Sequence, residues 1–548
     1  MRRFRALVLA VALPSLLAAA GAPSATGAGW AEQEPVVTST GVLEGALTVA
    51  PDGRAVAGWI DRAGDAPAFA ERPPHGAWGP PARADNPAAG VPTLAGTVDA
   101  TTAGWMRDGV VGAATTAPGA PFGAAWLGVS GPHPPVLASS PDGWTIAAWS
   151  VTARDERPAG LFVSERPPGG TFEEPAFFAG EHGGLSAAVS TGGRAAVAWT
   201  IPEGETSVLA AVRDGGSAAW SAAERVGAGN TVYPPAVGVD GRGDVVVTWL
   251  RGGGRPWLAV GEVVAADRRD GRWTDGQVLG LTAGARPQLT VNVAGDAVAS
   301  WLDGPMLRVT RRSPGAPFAA PVSPPRSCLG QGPSLPARLD AAGNAFVVYP
   351  SRYGNDVGAV VLGADGVLHE LDPIVGASAL SLTPFGTGID AAGMGTMLLS
   401  SRGSGTSSLR SVTTSAPIAE LAATLPAVAP EDCVLPPGSR PVTPAPLPAA
   451  AAPALRLLAT HPLKLRSGSL RVPVRCPASG RSCTGTLTVR AGGRQVGSAP
   501  FTLRAGSIRT LAVRVKSAKR PRSVQLRAVT AVTGGPSATS RATLSVRR

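Results

Sequence analysis

The sequence predicts an all-β chain: a closed ring of about eight four-stranded sheets, then a smaller β-sandwich. Three observations predict it. A large apolar anchor recurs at intervals near 50 residues. A tight-turn signature stands at a fixed distance before each anchor. Gly (71) and Pro (53) interrupt the 548 residues so often that few stretches could hold three helical turns.

The anchors are Trp59, Trp105, Trp149, Trp199, Trp249, Trp301, Tyr349 and Leu399, at intervals of 46, 44, 50, 50, 52, 48 and 50 residues. Six residues before them stand Gly53, Asp99, Gly143, Gly193, Gly243, Gly295, Gly343 and Gly393. Nine before stand Ala50, Gly96, Ser140, Ser190, Asp240, Asn292, Asp340 and Asp390. Asp, Asn or Ser at position i with Gly at i+3 is the signature of a type I turn. The first two units match it most loosely. Apolar runs such as Ala236–Val239 and Val245–Trp249 flank the turn and read as a hairpin. Val245, Val246 and Val247 are all apolar, so that strand is expected to be covered on both faces.

A second element follows each hairpin: strand, Gly or Pro turn, aromatic residue, strand. Phe69–Pro80, Phe162–Pro175, Val212–Glu224 and Val309–Pro321 show it. Each unit thus holds four short strands. Such units, repeated without helices, predict a β-propeller over residues 30–415, with eight blades, or seven if one unit is degenerate. Trp30–Val37 reads as a fourth strand lacking a hairpin. The last unit has a third strand near Leu409–Thr413 but no aromatic fourth strand. The expectation is that the N-terminal strand completes the last blade and removes an open sheet edge.

Residues 1–25 read as a secretory signal. Arg2, Arg3 and Arg5 precede the apolar stretch Ala6–Ala20, and small residues follow. At about 15 apolar residues broken by Pro14, the stretch is short for a bilayer span. The expected location is extracytoplasmic, at or beyond the cell surface, with no transmembrane anchor once the signal is cleaved. Residues 426–454 are rich in Pro and Ala, contain no credible strand and read as a semi-rigid spacer.

From residue 455 the pattern changes to period-two alternation. Ile508, Thr510, Ala512, Arg514 and Lys516 share one face; Leu511, Val513 and Val515 share the core-facing one. Several such strands in residues 455–548 fit a two-sheet sandwich. From Ala449 to Arg548 there are 19 Lys and Arg and no Asp or Glu. The rest of the chain carries 30 basic and 38 acidic groups, a net charge of −8 beneath the whole-chain value of +11. An acidic body thus carries a basic tail. Four cysteines in an exported chain point to disulfides: Cys476 with Cys483 locally, and Cys328 with Cys433.

Units such as Pro235–Trp249 (PAVGVDGRGDVVVTW), with the segment Arg475–Arg490 (RCPASGRSCTGTLTVR), resemble exported β-propeller repeat proteins of high-GC bacteria that end in an Ig-like or FN3-like β-sandwich. The resemblance implies fold and export, not an activity. A looser resemblance is to the sialidase Asp-box, but Ser140–Trp149 (SPDGWTIAAW) departs from it. There the Trp lies seven residues after Asp142 rather than five.

No catalytic, cofactor or metal residue is nominated. Sialidase chemistry needs a Tyr nucleophile, and the chain offers Tyr233, Tyr349 and Tyr353. Tyr349 is a repeat anchor, and Tyr353 beside Arg352 and Asp356 is the one remnant. His75, His133, His182, His369 and His461 fall in no metal motif. Arg242-Gly243-Asp244 is an RGD tripeptide, but Gly243 is a turn glycine. Asp240, Asp244 and Asp340 read as turn caps rather than calcium ligands. The basic tail holds one aromatic, Phe501, so base-stacking platforms are absent and no nucleic acid is expected. The expected function is a non-enzymatic exported binding or scaffold protein. Its propeller would be the recognition platform, and its tail would contact an anionic envelope polymer or glycan, or a protein partner. The alternative is a glycan-active enzyme, a sialidase-like hydrolase or lyase, working at the central mouth. Arg and carboxylate side chains converging there would favour the enzyme.

Overall fold

The computed structural model describes residues 29–429 and 456–547, with internal gaps chiefly at strand connections. The chain is a β-propeller followed by a β-sandwich. Among the described residues of the propeller, eight antiparallel sheets follow one another. Their innermost strands are Gly45–Val49, Thr93–Gly96, Val136–Ser139, Leu185–Val189, Ala236–Val239, Gln288–Val291, Arg338–Leu339 and Ser381–Ile389, and they number blades 1 to 8. Each contacts the next, and that of blade 8 returns to that of blade 1, so the ring is closed.

The turn chemistry behaves as the sequence predicts. Gly53, Gly143, Gly193, Gly243, Gly295, Gly343 and Gly393 all have φ between +72° and +103°, the region open to glycine. The residue at position i caps the turn. Asp240 Oδ1 accepts from the Arg242 and Asp244 N–H groups, both at 2.9 Å, and Asp340 Oδ1 accepts from Asn344 N–H at 2.8 Å. Blade 2 differs. Gly96 lies inside the strand, paired with Thr101, and Thr97 opens a turn one residue shorter. The Thr97 hydroxyl, which bonds Asp99 at 2.6 Å, stands in for the missing acidic cap.

All eight anchors are buried, at 3 % exposure or less. Blade faces diverge away from the axis, and the large rings fill that gap. Trp249 Nε1 donates to the Ala228 carbonyl at 2.7 Å, and Trp301 Nε1 to that of Leu281 at 2.9 Å. Each Trp is thereby pinned to the outer strand of the preceding blade. Gly227 and Gly280 on those outer strands make the approach feasible. A Cβ there would lie 2.6 and 2.9 Å from the indole rings. Nearer the axis the room shrinks, and Ala195–Ala198 and Val245–Val247 are buried throughout.

The ring closes through the strand Glu34–Ser39, which pairs antiparallel with Ser407–Thr413, Glu34 opposite Ser411 and Ser39 opposite Ser407. Trp30 extends the contact by a bridge to Thr414 and packs against Phe346.

Two expectations need correction, and one element lies in a stretch the sequence left unassigned. The units do not all carry four strands: blade 6 has three, plus a single bridge between Val309 and Val322. A short helix, Ile418–Thr424, follows the last blade and buries Ile418 and Leu421 beside Phe346 and Met397. The segment after it is not strand-free. Ala427–Val428 pairs with the outer strand of blade 7, His369 opposite Ala427. The Ala-rich composition hid a helix whose apolar residues fall three apart, and the Pro content hid a two-residue edge pairing.

In the tail, Ser469–Arg475 pairs with Ile508–Arg514, and Cys483–Ala491 pairs with Arg494–Leu503 and Ser523–Ala531. Ala538–Arg547 completes the second sheet and joins the first by a parallel pairing, Leu463 with Val546. Leu470, Val472, Val489, Val513, Val524 and Leu526 fill the space between. Val513 is buried while Thr510, Ala512 and Arg514 are exposed, as the alternation requires. Cys483 is buried. Cys328, Cys433 and Cys476 lie outside the described residues, as do residues 1–28.

Candidate functional site

Three regions could carry function: the axial channel, the turn face of the propeller and the basic surface of the tail. The channel follows from the ring. The innermost strands enclose a cavity of about 350 Å³ whose open surface is mostly polar, since side chains such as Leu47, Leu94 and Leu289 pack against the cores between blades. Two hydroxyls of the wall are turned onto main chain. Ser139 Oγ donates to the Gly96 carbonyl at 2.9 Å and Thr290 Oγ1 to that of Ala337 at 2.5 Å. No carboxylate lines the channel among the described residues, and Arg338 is its one charged group there. The carboxylate pair that most glycoside hydrolases use is not assembled by these described residues.

The turn face is dense in charge, and its arrangement escaped the sequence reading. An arginine at or near the end of a blade's third strand reaches an acid of the preceding blade. Arg166 meets Asp99 at 3.3 Å, Arg268 meets Glu224 at 3.3 Å, Arg213 meets Glu165 and Arg312 meets Asp267. Arg72 extends the series across the ring closure, with Glu34 at 3.6 Å and the Thr413 hydroxyl at 2.9 Å. Most of these guanidinium groups also lie near an aromatic ring: Arg72 by Trp78, Arg213 by Trp144, Arg312 by Phe318, at 5.4 to 5.7 Å. The Arg and Glu were visible in segments such as Phe69–Pro80 and Phe162–Pro175. Their partners lie a blade away, which no local pattern announces. These groups are spent on one another and latch the blades.

Burial would raise the Asp99 pKa, but the Thr97 hydroxyl, the Gly169 N–H and Arg166 together hold it below the usual carboxylate value. The RGD tripeptide belongs to this face. Arg242 folds back onto Asp240 at 2.9 Å and Asp244 at 3.2 Å, so the loop does not present a free guanidinium and carboxylate. Burial and the neighbouring Asp240 push the Asp244 pKa up.

The other singled-out residues scatter. Tyr349 is 1 % exposed in the core, while Arg352 and Tyr353 lie outside the described residues. His75 is exposed, His182 lies tilted against Trp199 with ring centres 5.6 Å apart, and His369 is buried with Nδ1 2.9 Å from the Leu425 carbonyl. His133 and His461 lie outside the described residues. Among the described residues no three His, Cys, Asp or Glu gather as a metal site.

The tail presents the opposite picture to the turn face. Arg471, Arg509 and Arg514 are exposed on one sheet, and Arg490, Arg494 and Arg527 on the other. Arg527 stands directly opposite Arg541 in the strand register.

No protein-family model matches the chain, and no curated protein matches it. The chain is similar to solved β-propeller structures at low identity. The fucose-specific lectin from Aleuria aurantia is 10% identical with a TM-score of 0.32, over 54% of this chain and 100% of that one. Polysaccharide lyase Uly1 is 10% identical with a TM-score of 0.39, over 61% and 91%. The α-L-arabinanase of Penicillium chrysogenum is 11% identical with a TM-score of 0.33, over 64% and 98%.

Proposed function

We propose that this is an exported, non-enzymatic binding or scaffold protein, held near the cell envelope by its basic tail sandwich. One observation carries the reading. Six described arginines stand exposed on both sheets of a domain whose segment, Ala449–Arg548, contains no acidic residue. Charge spread over two faces suits a long anionic polymer better than a single small ligand. Such association is weakened by salt, since exposed charges are screened over about 8 Å at physiological ionic strength. The propeller is then the recognition platform for a glycan or protein partner. Cleavage of residues 1–25, the spacer 426–454, an Ig-like domain over 455–548 and the pairings Cys476–Cys483 and Cys328–Cys433 complete the proposal.

Retention of the full chain on anionic envelope preparations tests it, from about 0.05 to 0.5 M salt. Strong retention at low salt and release at high salt are expected. Absent or salt-indifferent retention overturns the tail's role. A hydrolysis assay on the same preparation is expected to show no turnover of glycans that bind.

A further inference from the structure

The strand register exposes one anomaly in the channel wall. Consider the innermost-strand residue paired with the position three before each anchor. It is Thr48 opposite Val56 in blade 1, Ala138 opposite Ile146 in blade 3, Gly238 opposite Val246 in blade 5 and Gly388 opposite Thr396 in blade 8. Seven blades place Gly, Ala or Thr there. Convergence of the sheets explains it: Cβ atoms added at Gly238 and Gly388 would sit 2.3 and 2.4 Å from valines of the next blade. Blade 7 instead places Arg338 at this level, opposite Phe346.

Arg338 is fixed but not neutralised. Its Nε donates to the Thr387 carbonyl of blade 8 at 2.9 Å. Among the described residues no carboxylate lies within ion-pair distance of it, unlike the latch arginines of the turn face. Protein surrounds it, and burial pulls its pKa below the ordinary arginine value. It nevertheless keeps solvent contact, because it lies on the channel wall. A guanidinium held by Nε alone has the rest of its fork available for two coplanar oxygens. Around it the surface open to the channel is mostly polar, while the aliphatic side chains of the innermost strands pack between blades.

We propose that the axial channel binds a small carboxylate, whose two oxygens sit on the free part of the Arg338 guanidinium. The cavity of about 350 Å³ accommodates an acid of a few carbons. This site is separate from the tail and does not depend on the reading above.

The probe is butyrate, followed by ligand-observed NMR on the full chain. Butyramide, of the same shape without the charge, is expected not to bind. Arg338→Gln is expected to abolish binding, and Arg338→Lys, which keeps the charge but loses the planar fork, to weaken it at least about tenfold. Arg527→Gln in the tail is expected to change nothing. Near-UV circular dichroism checks that the variants fold. Should Arg338→Gln fail to fold, the lysine variant and the butyramide comparison decide. The proposal is overturned by absent butyrate binding, by equal binding of butyramide, by full binding in both Arg338 variants, or by loss of binding in Arg527→Gln.

Discussion

The propeller and the tail use arginine in opposite ways. On the propeller's turn face Arg166, Arg213 and Arg312 are buried, and each faces an acid of the preceding blade. On the tail Arg471, Arg514 and Arg527 are exposed, in a domain without acids. For the three buried guanidinium groups the carboxylate matters, because removing it leaves an unmatched charge away from water. An exposed one needs only solvent and remains free for an outside partner. The same residue type therefore joins blades in one region and offers contacts in the other, and only burial and the nearness of acids distinguish the two.

Four experiments can break or sharpen this contrast. The largest effect is expected from deleting residues 30–38. That removes the strand closing blade 8 and the buried Trp30, whose truncation alone is expected to cost about 3–5 kcal/mol. A melting curve that does not move would show that the pairing contributes little.

Next comes Glu165→Gln. Glu165 accepts from Trp220 Nε1 at 2.5 Å and faces Arg213, both side chains of that pair 7 % exposed. The substitution leaves Arg213 without its countercharge and is expected to cost about 3 kcal/mol in a urea titration. Replacing both, as Glu165→Leu with Arg213→Met, is expected to recover most of that loss. Failure to recover would mean that the latch acts through hydrogen bonds rather than charge.

The triple change Arg471→Gln, Arg514→Gln, Arg527→Gln tests the other side. Stability is expected to stay within about 0.5 kcal/mol, as for exposed positions generally, while low-salt retention on envelope polymer falls several-fold. A large loss of stability would place these arginines in the same class as the latches.

The smallest effect concerns pH. Burial lowers the His182 pKa below 6.5 in the folded protein. The unfolded chain takes up the proton first, so the stability tied to neutral His182 is complete above that value and is lost as pH falls below it. The melting midpoint is expected to drop on acidification from pH 7.5 to 5.5, and to drop less in His182→Gln. Equal drops in both proteins would assign the effect to other groups.

What was legible in the sequence was whatever a few neighbouring residues determine. Asp240 and Gly243 specify their turn by themselves, and Trp249 marks its strand, so the repeat and its period could be counted. Blade 2 was misaligned by one residue because Thr97 can replace an acidic cap, and no glycine marks the difference. The latches were not legible, since the pairs Arg166–Asp99 and Arg312–Asp267 join different repeats. Arg338 could have been noticed as the large residue in a column of small ones, but that column exists only once the strand register is known. The tail's charge needed no structure, because the absence of acids over a hundred positions is a property of composition.

The closing strand has a consequence for the time course of folding. Glu34 finds its partner at Ser411, so the last seam of the ring joins residues from opposite ends of the propeller sequence. Every blade can form its hairpins from neighbouring residues, within microseconds for a hairpin, and only the closing strand of the eighth comes from afar. The seam must wait until all the blades between are in place, since the entropy of closing so long a loop is recovered only when the ring is nearly complete. Until then Ser407–Thr413 offers an unpaired edge. The interval between the last blade's hairpin and the arrival of the first strand is therefore the period in which two copies of this chain are most apt to join by mistake.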